Sequence, residues 1–428
     1  MRRANRVLAV MASVMFLTGT VTASVDPIDA AWRLADEGRD LSAVELLRSL
    51  SYRPDGSIAN DMAVDTVKQL APRLNGLSEP TIADAAAVGP PASVGNVAAV
   101  TAAERRDAIA AITAKARDRR IVILNEAHDS SEDRAFGLAV ARALRPLGFT
   151  MLAAETFNNA DDPADTDMTA LGTRGYPVRN RTGVYTTDPV FGDFVRQALA
   201  LGYHPVAYEQ TAEQRKSSGS DGLDARDRID AREAAQAVNL AAAIAAAPGA
   251  KFFIYCGYSH ATKVPLPEQD SSKNHLWMAG RLKQMTGLDP LSIDQTDLGA
   301  TNVTQASRTL RGIVQQHGSA RPVVLFANGK PLLVGRYRDA VDMQVVHPVT
   351  RIVHGRPDWL ASMGRHPVRP AMSLVPASGR ALVQAFLARE GSDAIPVDQA
   401  VLEPHDTRWF MLPDQPVRFV VRESLPTR

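Results

Sequence analysis

The sequence predicts an α/β fold: a mainly parallel sheet flanked by helices, with a helical N-terminal segment before it and a small mixed α+β module after it. Three observations point there. Short runs that are apolar throughout, such as "IVIL" from Ile121, "FTMLAA" from Phe149 and "FFIYC" from Phe252, alternate with segments that are apolar at helical spacing. That is the pattern of strands covered on both faces by crossover helices. The junctions carry helix punctuation, with Gly148, Gly202 and Gly287 as stops and Ser130 and Asp188-Pro189 as starts. Before Thr101 and after Gly299 the alternation is lost.

The chain opens with Arg2, Arg3 and Arg6, an apolar stretch from Val7 to about Val21, and small residues at Ala23. Residues 1–23 are therefore expected to be a secretory signal peptide, leaving an exported protein, periplasmic or secreted, with no integral membrane span. Cys256 is the only cysteine, so no internal disulfide can form and a packed core must supply stability. With 428 residues and 45% hydrophobic composition there is material for such a core, and a net charge of +1 without a basic run argues against nucleic acid as a partner.

Residues 24–78 read as short helices, "DPIDAAWRLADEG", "DLSAVELLRSL" and "DMAVDTVKQLAPRL", each opened by Asp. Residues 79–100 are rich in Gly, Pro, Ser and Ala and read as a linker. Over 101–299 comes the α/β domain. Thr101 and Glu104 have capping-box spacing before the helix "AERRDAIAAITAKA", and the strand at Ile121 follows. A helix capped at Ser130, the strand from Phe149, a helix capped at Asp188 and the strand "HPVAY" succeed it. Next come an alanine-rich helix from about Leu223 to Ala246, the strand "KFFIYCG", the helix "NHLWMAGRLKQMTG" and the strand "DPLSID". In residues 300–428 a hairpin turns at Asn328-Gly329, "SGRALVQAFLARE" reads as a helix, and "PVRFVVRE" as a late strand.

In a parallel sheet the loops at the carboxyl edge converge, and ligands bind there. Five successive strands end on an acid or an imidazole: Glu126 and His128, then Glu155, Glu209, His260 and Asp294. Any one could be a solvated strand end. Together they mark a crevice, because carboxylates at a buried edge need a partner. Glu126 and His128, two apart, point the same way along an extended chain. They suit either a metal bound through oxygen and nitrogen or a carboxylate orienting an imidazole base. Asp129 reads equally as part of the next helix cap. Arg228, Arg232, Gln236 and Asn239 form a polar line on the long helix; a wet face is the plain reading, an anion clamp at Arg232 the sharper one. The polar stretch from Thr156 to Thr187 is either a lid over the crevice or a disordered loop. "GYSHA" imitates a nucleophile elbow at Ser259, but Pro265 and Pro267 deny it the helix that an elbow needs.

The motifs Glu126-Ala-His128-Asp129, Glu155 at a strand end and Gly257-Tyr-Ser-His260 resemble those of the superfamily that joins ChaN-like haem-binding proteins, erythromycin esterases and Tiki/TraB metalloproteases. The resemblance spans roughly Thr101 to Gly299. Asn125 stands where those families usually have Gly. By resemblance, Glu126, His128, Glu155 and His260 line the active crevice and Arg232 belongs to it.

The expected function is an exported hydrolase of ester or amide bonds in a small-molecule or peptide substrate. His128, oriented by Glu126 or Glu155, would activate water, and Arg232 or His260 would stabilise the oxyanion. Glu209, Tyr258 and Asn239 are the other expected substrate-side residues. A divalent metal held by Glu126, His128, Glu155 and His260 is an open option. The alternative is a haem- or metal-binding protein with a histidine, Tyr255 or Tyr258 as axial ligand. A third reading is an interaction protein whose crevice does no chemistry. His347, His354, His366 and His405 lack ligand-like spacing and read as surface or packing residues.

Overall fold

A run with no polar side must be covered twice, and Ile121–Glu126 is: all six of its residues are buried. The computed structural model describes residues 26–78, 89–219, 222–266, 275–406 and 408–426. The expected signal peptide and the first part of the expected linker lie outside the described residues.

One sheet is built from β1 (Glu104–Asp107), β2 (Ile121–Glu126), β3 (Phe149–Ala154), β4 (His204–Val206), β5 (Lys251–Gly257), β6 (Leu291–Asp294), β7 (Val323–Ala327), β8 (Lys330–Pro331) and β9 (Met343–Val346). Their order is β1-β7-β9-β6-β2-β5-β3-β4, with β8 paired to β7. From β9 to β4 the strands run parallel, and antiparallel pairing begins only at β7. Side chains alternate between two cores. Val122, Leu124, Phe253 and Tyr255 pack with Ile112, Leu138 and Phe194 from helices Ala108–Ala116, Ser131–Leu144 and Pro189–Ala200. Ile121, Ile123, Phe252 and Ile254 pack with Leu240 and Leu282 from helices Ala225–Ala246 and Met278–Thr286. The mainly parallel, helix-flanked sheet expected from the sequence is present, and small antiparallel sheets follow it.

Several expected elements need correction. The last part of the expected linker is helical: Ser93 caps Val94–Ala102, which places Thr101 at a helix end instead of a start. Glu104–Asp107 is an edge strand on β7, and the next helix begins at Ala108 with Asp107 as its cap. Pairing with a distant strand outweighs the local cap signal. The same holds for "SGRALVQAFLARE": Arg380–Leu387 is a strand between Asp398–Leu402 and Val417–Leu425. The sheet also does not stop at Gly299, because β7 and β9 pair into it from beyond. The hairpin at Asn328-Gly329 is present, with positive φ of 51° and 73° as a two-residue turn of this kind requires.

The N-terminal helices are not a separate unit. Ala43, Leu47 and Leu70 share a core with Leu382 and Val401 of the C-terminal sheet. Of the three expected Asp starts, only Asp26 caps its helix. Asn60 caps Asp61–Leu70, and Asp40–Ser51 has no local side-chain cap. Glu423 takes over that role from the far end of the chain, accepting from the backbone N–H of Leu41 at 3.0 Å and of Ser42 at 3.3 Å. No helix among the described residues is long and apolar enough to cross a membrane.

Candidate functional site

The strand order sets β4, β3, β5, β2 and β6 side by side. Glu209, Glu155, His260, the Glu126–His128 pair and Asp294 therefore arrive along one edge, although they are scattered over most of the domain sequence. Four of the five strand ends meet. The fifth, Asp294, turns into the sheet, where it accepts from Asn125 Nδ2 at 2.8 Å and from Thr296 Oγ1 at 2.9 Å. Asn125 thus ties β2 to β6.

Two linked acid–imidazole groups make up the site. In the first, Glu126 accepts from Arg134 Nε at 2.9 Å and lies 3.1 Å from His128 Nδ1. Arg134 is 1% exposed and also donates to Asp188 at 2.6 Å and to the His128 carbonyl at 2.9 Å. Burial works against the Arg134 charge, but Glu126 and Asp188 raise its pKa well above the ordinary value. The turn between Glu126 and His128 is fixed by Asp133, which accepts from Ala127 N–H at 2.8 Å. Of the two carboxylates expected to orient His128, Glu126 is the one at its Nδ1. The ring's other edge lies over Gly257. A Cβ on that glycine would stand 2.6 Å from His128 Nε2 and 3.2 Å from Glu155 Oε2, so the glycine is required for space and not for its φ of −82°.

In the second group, Glu155 accepts from Arg232 Nη2 at 2.6 Å and lies 3.2 Å from His260 Nε2. The other His260 nitrogen, Nδ1, is 2.7 Å from Glu233 Oε1. Burial would favour neutral His260, but Glu155 and Glu233 push its pKa up to about 10, so it is an imidazolium at neutral pH. Burial would likewise raise Glu155; His260 and Arg232 overcome it and hold the carboxyl well below the usual range.

Two expected substrate contacts have structural work instead. Arg232 is not an open anion clamp: it grips Glu209 through Nε at 2.9 Å and through Nη2, besides Glu155. Asn239 donates to the Tyr208 and Glu209 carbonyls at 3.1 and 2.9 Å and so holds the end of β4. Gln236 completes the line with a 2.9 Å bond to Glu209. Tyr258 does border the crevice, 37% exposed, with its ring edge-on to His128. Ser259 is buried against the Tyr337 hydroxyl. Asp129 is neither cap nor ligand: Ser130 caps the helix, and Asp129 turns to Thr301.

Sequence reading missed Arg134, Glu233, Asp188 and Tyr185. Glu233 had a usable signal, since with Ala237, Leu240 and Ile244 it falls on the buried stripe of its helix. An acid on an apolar stripe must have a partner. Arg134 and Tyr185 had none, because their roles depend on folding against distant segments.

The donor set does not fit a divalent metal at Glu126, His128, Glu155 and His260. Both carboxylates are already gripped by guanidinium groups, so an added cation would meet Arg134 and Arg232 at the oxygens it needs. Among the described residues no group of His, Cys, Asp and Glu side chains is arranged to hold one. Haem fits no better. It needs an apolar slot beside an open axial donor, whereas this wall carries Glu126, Glu155, Glu209 and Arg232, and Tyr255 is 1% exposed inside the core. Cavities of about 490 and 300 Å³ lie elsewhere, the first beside Lys263 and Asp342 and the second beside Arg174 and Arg196. Neither gathers an acid with an imidazole.

No family model matches the chain, and no curated protein matches it. Among solved structures it is similar to RRSP, an effector domain of a MARTX toxin from Vibrio vulnificus CMCP6, at 15% identity and a TM-score of 0.30, over 64% of this chain and 63% of that one. A structure described as bacterial protein toxins matches at 13% identity and 0.30, over 66% of this chain and 69% of that one. Another so described matches at 15% and 0.33, over 63% and 57%. Likenesses this distant say nothing about what the chain does.

Proposed function

We propose that the crevice hydrolyses ester or amide bonds without a metal, in an exported protein, with His128 as the base that takes a proton from water. The observation that carries this reading is the setting of one imidazole. His128 Nδ1 rests on a carboxylate clamped by Arg134, which fixes the tautomer with its proton on Nδ1 and leaves the lone pair on Nε2, at the edge of the ring that packs over Gly257.

A water at Nε2 gives up its proton as its oxygen bonds to the substrate carbonyl carbon, forming a tetrahedral oxyanion and a His128 imidazolium. Collapse breaks the bond to the leaving group, which takes that proton from Nε2, and acid plus alcohol or amine depart. His260 and Arg232 contribute a fixed positive field on the neighbouring strand ends. Both are paired with carboxylates, so neither is given a direct contact to the oxyanion. The motif resemblance on Glu126, His128, Glu155 and His260 agrees with this reading.

The test is a screen of chromogenic esters and peptides, followed by His128→Ala on any substrate found. A loss of about 10²–10⁴-fold with the fold intact is expected. An Ala variant as fast as the parent removes His128 from the mechanism.

A further inference from the structure

One hydrogen bond at Nδ1 leaves an imidazole free to swivel about that bond, and a base that swivels loses its aim. A second constraint comes from an aromatic ring. Tyr185 lies nearly parallel to His128, with centroids 4.3 Å apart and planes 16° apart, while Tyr258 meets the same ring edge-on at 5.1 Å.

Tyr185 is delivered by the long segment after β3 and is fixed from several directions. Its backbone N–H donates to Thr156 Oγ1 at 2.9 Å, and its carbonyl accepts from Asp188 N–H at 3.1 Å. Two residues earlier, Gly183 bridges to Phe157 and lies so close that a Cβ there would stand 1.9 Å from the Thr156 carbonyl oxygen. The Tyr185 hydroxyl reaches Gln69 Oε1 of helix Asp61–Leu70 at 3.4 Å. Thr156 and Phe157 directly follow Glu155, and Asp188 holds Arg134. The ring is therefore tied to the same strand end and the same guanidinium that set the two acid–imidazole groups.

We infer that Tyr185 is a positioning residue, whose stacked ring holds the His128 imidazole in the plane that sets Nδ1 against Glu126 and Nε2 over Gly257. The segment from Thr156 to Thr187 then serves neither as a lid nor as a free loop, but as the strap that presents this ring. The inference rests on the reading of His128 as the base; its structural half, the stack, can be tested without that reading.

Two variants and two readouts test it. Tyr185→Phe keeps the ring and Tyr185→Leu removes it; thermal unfolding identifies any loss of fold. In proton NMR spectra the His128 Cε1–H signal, identified by its absence from His128→Gln, is expected upfield in the parent and in Tyr185→Phe, and shifted downfield in Tyr185→Leu. With p-nitrophenyl acetate, Tyr185→Leu is expected to lose about 10- to 100-fold in kcat with KM within about twofold, since a misplacement of about 1 Å costs on that order. Tyr185→Phe should stay near the parent, and adding Tyr185→Leu to His128→Ala should cost nothing more. An unmoved His128 signal in folded Tyr185→Leu, or a Phe variant as slow as the Leu variant, overturns the inference. Full activity in His128→Ala defeats the hydrolase reading instead, and the NMR result still decides the stack.

Discussion

Gly257 is the residue on which the two halves of the site touch. Because its missing side chain would stand 2.4 Å from His128 Cε1, Gly257→Ala must push the imidazole off its place. A fall of about 100-fold in kcat is expected, with the melting temperature changed far less, since the ring and not the backbone moves. Arg134 is the opposite case. At 1% exposure it neutralises Glu126 and Asp188 together, so Arg134→Met leaves two buried carboxylates without their shared cation. Breaking such a pair costs about 3–5 kcal/mol, and urea unfolding should show a loss of that order.

The imidazoles also fix how stability follows pH. His260 is raised from 6.5 to about 10 in the fold, so its contribution is complete below pH 6.5 and is lost as pH rises through about 10. His347, pushed down by burial from 6.5 to about 4, acts in the other direction and loses stability as pH falls from 6.5 through about 4. Above about pH 7, where Glu132 and Asp297, both raised to about 7 by burial, have also titrated, urea midpoints are expected to decline toward pH 10. In His260→Gln the alkaline decline should flatten; an unchanged slope would show that His260 is not held charged.

Among the elements, those legible in the sequence owe their form to local covering. β2, β3 and β5 are apolar at nearly every position because helices lie on both sides, and their neighbouring helices carry their own caps at Ser130 and Asp188. Arg380–Leu387 is just as buried, but its Ala and Leu residues favour a helix in isolation, and it is a strand only because two distant strands pair with it. Glu104–Asp107 failed for the same reason: its charged sequence shows nothing of β7. Glu126, His128, Glu155, Glu209 and His260 come together because the carboxyl edge of a parallel sheet gathers residues whatever their separation in the chain. Their places at strand ends could not say which acids are free. Arg232, Gln236 and Asn239, legible as a line on one helix, turn out to secure Glu209 and the end of β4.

For the molecule as a whole, the ends of the chain close on each other. The first helices bury Leu47 and Leu70 against Leu382 and Val401, and Glu423 supplies the missing cap of Asp40–Ser51. Glu423→Ala should cost about 0.5–2 kcal/mol, the usual value of a lost cap, read as a shift in urea midpoint. Through Gln69 the same N-terminal helices touch Tyr185, so a weakened terminal core is expected to loosen the site as well as the fold. On the proposed reading, this arrangement holds one ring nitrogen of His128 bare beside a substrate carbonyl. That state can be read directly by nitrogen NMR of histidine-labelled protein at neutral pH, with the His128 signals identified by their loss in His128→Gln. In the neutral ring the proton is predicted on Nδ1 and the lone pair on Nε2; a neutral ring carrying its proton on Nε2 would contradict the assignment of His128 as the base.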